Sequence, residues 1–177
     1  GRPCGTLLGG SWAGTVRRTG GAVRVDLERR QGGILCRKRL TWSGGAACDV
    51  EFTFGNESGA ALQLRPAVEF NLGLLSSGPG RSCRSDDRRL EDGTLGAPRE
   101  DRSLRHLAVV DEHRRTAVDF AWDGPMDLWR YPVETVSQSE AGFERNYQCS
   151  CFLWHTRLAL AAGESRTLTL RIGIKES

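Results

Sequence analysis

The side chains best suited to chemistry in this chain fall in two short runs. In Val68-Glu69-Phe70-Asn71-Leu72 the apolar residues alternate, so on a strand Glu69 and Asn71 share the opposite face, about 7 Å apart. A carboxylate and an amide at that spacing can accept from and donate to sugar hydroxyls. The second run, Trp129 to Gln148, sets Trp129, Tyr131, Glu134 and Gln138 among further acids, amides and hydroxyl residues. On a strand, Trp129 and Tyr131 fall on one face. Flat aromatic rings stack on the C–H side of pyranose rings, while neighbouring carboxylates and amides take the hydroxyls. The expectation is that Glu69, Asn71, Glu134 and Gln138 converge on one side of one sheet, with Trp129 or Tyr131 near its edge. The competing expectation is a polar outer face beside core aromatics whose polar tips are satisfied.

Other chemistries are thinly supported. His155, beside Trp154, is one of three histidines. With Glu69 or Glu134 it forms the only acid–base set, of the kind a free-standing mutarotase or epimerase would need. The chain has no Gly-rich phosphate loop, no H-E-x-x-H and no G-x-S-x-G. No cofactor is expected. The six cysteines include no C-x-x-C pair, and Cys149 and Cys151 lie two apart on an expected strand, badly placed to bond each other. They read as free, partly buried thiols rather than as disulfides or a metal site, which fits a reducing, cytoplasmic setting.

Composition narrows the classes further. The formal charge is +3, almost all of the basic side is arginine, and no basic cluster stands out, so no nucleic-acid partner is expected. No apolar run approaches the roughly 20 residues that span a bilayer, and no membrane partner is expected. The start, Gly1 to Gly10, lacks the charged and apolar regions of a signal peptide and reads as a boundary segment over residues 1–13.

The elements that must position these residues are strands. Period-two alternation marks Ala22–Arg29, Ile34–Trp42, Asp49–Phe54, Leu62–Leu74 with a break at Pro66, Leu107–Val110, Thr116–Trp122, Leu128–Val136, Gln148–Leu160 and Arg166–Ile174. Turn residues separate them at Ser43-Gly44-Gly45, Asn56 to Gly59, Asp111 to Arg115, Asp123-Gly124-Pro125 and Ala162-Gly163-Glu164. No stretch keeps a 3.6-residue apolar period. The pattern predicts an all-β fold, a twisted antiparallel β-sandwich forming one domain over 14–177. Within it, 76–105 reads as a long loop whose seven arginines nearly balance six acids.

The run Trp129 to Gln148, centred on Glu134-Thr-Val-Ser-Gln-Ser-Glu140 and followed by Gly142-Phe143-Glu144 and Tyr147-Gln148, resembles the C-terminal domain of family 57 glycoside hydrolases, the α-amylases and 4-α-glucanotransferases. Val68 to Leu72 and the turn Leu158 to Glu164 resemble the same family. The resemblance runs from about residue 14 to 174. It implies a galactose mutarotase-like sandwich. It also implies a catalytic pair housed in a separate N-terminal barrel, so no catalytic residue is carried onto this chain. The expected role is a non-catalytic accessory module that packs on that barrel and contacts α-glucan or maltooligosaccharide. Rival expectations are the free-standing sugar enzyme above and a purely structural interaction domain.

Overall fold

The computed structural model describes residues 10–87, 89–139 and 142–176. Cys4, most of the boundary segment and Glu140 lie outside them. The strands in chain order are β1 (Ala13–Thr19), β2 (Ala22–Gln31), β3 (Ile34–Trp42), β4 (Ala47–Asn56), β5 (Leu62–Leu64), β6 (Ala67–Leu72), β7 (Arg81–Arg84), β8 (Arg99–Asp111), β9 (Thr116–Ser139), β10 (Gly142–His155), β11 (Leu158–Leu160) and β12 (Ser165–Glu176). No helix occurs among the described residues. Contacts gather the chain into two compact units.

The first unit comprises the chain up to Arg65, Trp122–Gly124 and Arg157–Gly173. Its sheet runs β1-β2-β3-β4-β12, all antiparallel. The first two hairpins close through Gly20-Gly21 and Gly32-Gly33, with φ of 57° and 84°, then 59° and 77°. Two successive positive φ values make the type I′ turn that matches strand twist, and glycine adopts them freely. The alternation of β4 buries Val50, Phe52 and Phe54, and the Trp122 ring lies 6.0 Å from that of Phe52. Asn56, 1% exposed, closes the unit's end. Its amide donates to the carbonyls of Ala60, Leu160 and Ala161, and its Oδ1 accepts from Ser58. β1 has no buried residue, which is why no apolar alternation marks it in the sequence.

The second unit holds Pro66–Ala121, Pro125–Thr156 and the residues from Ile174 onward. Its sheet runs β7-β8-β9-β10-β6. Phe120, Phe152, Trp154, Leu104, Leu107 and Leu128 are fully buried on one side, with Phe120 stacked 6.1 Å from Phe152 and tilted 5.0 Å from Phe70.

Three expectations are corrected. Asp123-Gly124-Pro125 is no reversal, because β9 continues extended from Thr116 to Ser139. Its pairing with β8 breaks between Ala121 and Met126. Pro125, which has no N–H to give a ladder, falls in that gap. The expected strand Gln148–Leu160 is two strands, interrupted at Thr156-Arg157, and the first begins at Gly142. The stretch 76–105 contains β7 and the start of β8, with Cys83 and Leu95 buried to 4% and 3% exposure. It lacks apolar periodicity because much of its order comes from one buried cation. Arg130, 2% exposed, places Nε 2.6 Å from Asp101 Oδ2 and donates to the carbonyls of Thr94 and Asp92.

Candidate functional site

Strand register decides which candidate side chains meet. Glu69 pairs with Leu153 and Leu153 with Trp129, while Asn71 pairs with Cys151 and Cys151 with Tyr131. Trp129 in turn pairs with Glu100 of β8. Directly paired residues share a face. One face of this sheet therefore carries the row Glu100, Trp129, Leu153, Glu69 and beside it the row Tyr131, Cys151, Asn71. His155 pairs with Asp127 and Ala67 and continues the same face. The opposite face is the core that holds Leu128, Arg130, Phe152 and Trp154.

The contacts agree with that register. Asn71 Nδ2 donates to Glu69 Oε1 at 2.7 Å, which fixes the amide and leaves the second carboxylate oxygen as an acceptor. The Cys149 thiol lies 3.8 Å from Asn71 Oδ1. Trp129, 39% exposed, meets the buried His155 ring edge-on at 4.7 Å. A hydrogen bond to the Cys151 sulfur, helped by burial and by the neighbouring Glu69 carboxylate, pushes the Tyr131 hydroxyl up to about 12. It therefore stays a protonated donor throughout the neutral range. Burial is the main cause holding the Cys151 thiol above its usual range, so it is a poor nucleophile there. The face thus offers an indole, a phenol oxygen whose proton is held by Cys151 and which can accept, a carboxylate and an amide, all on rigid strands.

Glu134 and Gln138 are not part of it. They pair with Tyr147 and Phe143. On β9 they share the parity of Leu128 and Arg130, not that of Trp129 and Tyr131, so they lie on the other face. The one bulge nearby, between Tyr147 and Cys149, sits on β10 and leaves the alternation of β9 intact. The expected convergence of Glu69, Asn71, Glu134 and Gln138 is therefore corrected. Trp129 is no edge residue, since β8 and β10 flank it, whereas Tyr131 lies one residue beyond the last β8–β9 pair at Arg130. Of the acid–base set, Glu69 and His155 share a face and Glu134 does not. Glu100 carries no signal of its own in the sequence, because it lies in the stretch 76–105, which lacks apolar alternation.

A depression of about 580 Å³ lies on the sheet of the first unit, lined by Arg24, Asp26, Glu28, Arg37, Arg39 and Glu51 among others. No aromatic side chain lines it, and its carboxylates already pair: Asp26 with Arg24 and Arg39, Glu28 with Arg37, Glu51 with Arg39. It offers no platform for a sugar ring. Among the described residues no three His, Cys, Asp or Glu side chains are grouped to hold a metal ion, and no helix is long and apolar enough to cross a membrane.

Antiparallel strands in this order, with no helix among the described residues, fall in the class of galactose mutarotase-like β-sandwiches. It superposes on a putative aldose 1-epimerase of Escherichia coli K12 with a TM-score of 0.64 at 10% identity, covering 95% of this chain and 69% of that one. Residues 13–170 match the family described as alpha-amylase/4-alpha-glucanotransferase, C-terminal, and the chain belongs to that family. It is 27% identical over 142 residues to alpha-amylase 1 of Dictyoglomus thermophilum, covering 80% of this chain but only 20% of that protein. It is similar in structure to the 4-alpha-glucanotransferase of Thermococcus litoralis, with a TM-score of 0.64 and 16% identity, covering 90% of this chain and 22% of that one. The chain thus spans about a fifth of the length of these relatives.

Proposed function

We propose that this chain is a non-catalytic accessory module of an α-glucan-acting enzyme. It packs on the catalytic part of the same polypeptide and contacts α-glucan through the Glu69, Asn71, Trp129 and Tyr131 face. The observation that carries the sugar contact is the half-exposed Trp129 indole, set in a row between Glu100 and Glu69 with the fixed Tyr131 hydroxyl beside it. An aromatic platform ringed by oriented acceptors and donors is the chemistry a pyranose presents in reverse. The reading calls for no cofactor or metal. The five free thiols among the described residues, four of them buried, support a reducing, cytoplasmic setting.

Titration with maltooligosaccharides while tryptophan fluorescence is followed tests the sugar contact. A saturable change in the millimolar range is expected, worth about 4 kcal/mol of binding. Trp129→Ala should weaken it at least tenfold with the far-ultraviolet circular dichroism unchanged. A flat response up to tens of millimolar overturns the sugar contact and leaves the packing role. Purified chain is expected to release no reducing sugar from starch, and measurable hydrolysis overturns the accessory reading.

A further inference from the structure

Past Arg130 and Ser150 the sheet of the second unit narrows to two strands. Among the described residues β8 pairs with β9 no further than Arg130, and β6 with β10 no further than Ser150. β9 and β10 stay paired with each other to Ser139 and Gly142. The remaining ribbon, about 25 Å long at the usual strand rise, has two unlike faces. On one, Thr135 pairs with Asn146 and Ser137 with Glu144, and the polar groups satisfy each other: Asn146 Nδ2 to Ser137 Oγ at 3.1 Å, Gln148 Nε2 to Thr135 Oγ1 at 3.2 Å. On the other, Glu134, Val136 and Gln138 pair with Tyr147, Arg145 and Phe143. Phe143 is 79% exposed and Val136 63%. Arg145 lies 3.6 Å from Glu134, and the Tyr147 hydroxyl anchors the ribbon's base on Ser150 Oγ at 2.9 Å.

A bare two-stranded ribbon is marginal in water, and among the described residues Val136 and Phe143 stay largely exposed on its apolar face. Exposed aromatic and aliphatic side chains rimmed by paired charges are the make-up of a protein interface. Glu134, Gln138 and Arg145 make the same face too polar for lipid. One phenylalanine and one valine fall short of the roughly 800 Å² per partner that a stable complex of separate molecules buries. They suffice for a tethered partner, whose effective concentration is on the order of millimolar. The matched α-amylase extends well beyond the 20% of it that this chain covers, so such a partner exists in relatives of this family.

We propose that the Val136 and Phe143 face docks into the polypeptide N-terminal to this domain, with Phe143 as the anchor. The proposal rests on the accessory reading and adds to it the surface that makes the contact. The test uses the longer polypeptide, with Val136→Cys and Ser137→Cys introduced singly. These neighbours point to opposite faces, and each labelling rate with a maleimide is read on its own peptide by mass spectrometry. The cysteine at 136 should label at least tenfold more slowly than that at 137, and adding Phe143→Ser should remove the difference. Equal rates overturn the proposal. Protection that fades on hundredfold dilution also overturns it, because it assigns the face to a second copy. Small-angle X-ray scattering of the intact polypeptide, which keeps the tether, separates this failure from that of the accessory reading. A compact particle with position 136 freely labelled sinks the ribbon alone, and two parts held apart in solution sink both.

Discussion

Arg130 is the side chain on which the segment Asp92 to Asp101 depends. Its guanidinium bridges one carboxylate and two carbonyls at 2% exposure. Removing one partner of a buried pair strands the other charge, so Arg130→Leu should cost about 3–5 kcal/mol in urea unfolding. Adding Asp101→Leu should recover part of that loss, and a double variant no better than the single would refute the pairing. Asp92 acts on the same segment through pH. The Thr94 backbone N–H, then the Arg99 guanidinium, hold its carboxyl at about 2 against an ordinary 3.8. A depressed pKa contributes stability that is complete above the unfolded value and lost as pH falls through the folded one. Wild type should therefore exceed Asp92→Asn in thermal midpoint by a constant margin above about pH 5, and the margin should close between about pH 4 and pH 2. A margin that persists at about pH 2 contradicts the assignment.

Among the elements, hairpins are the most legible in the sequence and β9 the least. Turn chemistry is local, and Gly44 and Gly45, with φ of 94° and 76°, do what their sequence suggests. Gly33 goes further: at φ 77° a Cβ would also meet the Ser58 Cβ at 3.1 Å, whereas at Gly21, φ 84°, it would meet nothing within 4 Å. Gly21→Ala should cost about 1–2 kcal/mol from the left-handed backbone alone, and Gly33→Ala more. Equal midpoints for the two variants in chemical denaturation would show that the Ser58 contact yields freely. Asp123-Gly124-Pro125 carries the same local signal as a turn, yet the strand runs through it. There the pairing break opposite Leu104 to His106 accommodates the proline. Parity on β9 separates Trp129 and Tyr131 from Glu134 and Gln138, and that separation could have been counted from the residue numbers alone.

At the scale of the whole molecule, the thiols report on setting and packing together. Burial raises Cys36 to about 11 and Cys83 to about 12, so neither is a thiolate near neutrality. In native protein at about pH 8 Cys149, the least buried of the five described, should react first with a thiol reagent, and Cys83 last. After denaturation without reductant all six cysteines of the chain should titrate. Fewer than five would refute the free-thiol reading.

The sequence by itself determined the all-β class, the main hairpins, the core strand Val50 to Phe54 and the family, because alternation and turn residues are local and a family run is linear. It also placed Glu69 and Asn71 on one exposed face, since neither is separated by more than one residue of the same strand. Only the tertiary structure decided what meets that face. The neighbours of Glu69 are set by the register of β6 on β10, where Glu69 meets Leu153 across 84 positions, and of β10 on β9, where Leu153 meets Trp129 across 24. Register likewise brought Glu100 beside Trp129, turned Glu134 and Gln138 away, and folded 76–105 around Arg130. Those are long-range pairings of polar groups, and polar groups leave no periodic trace in a sequence until their partners are known.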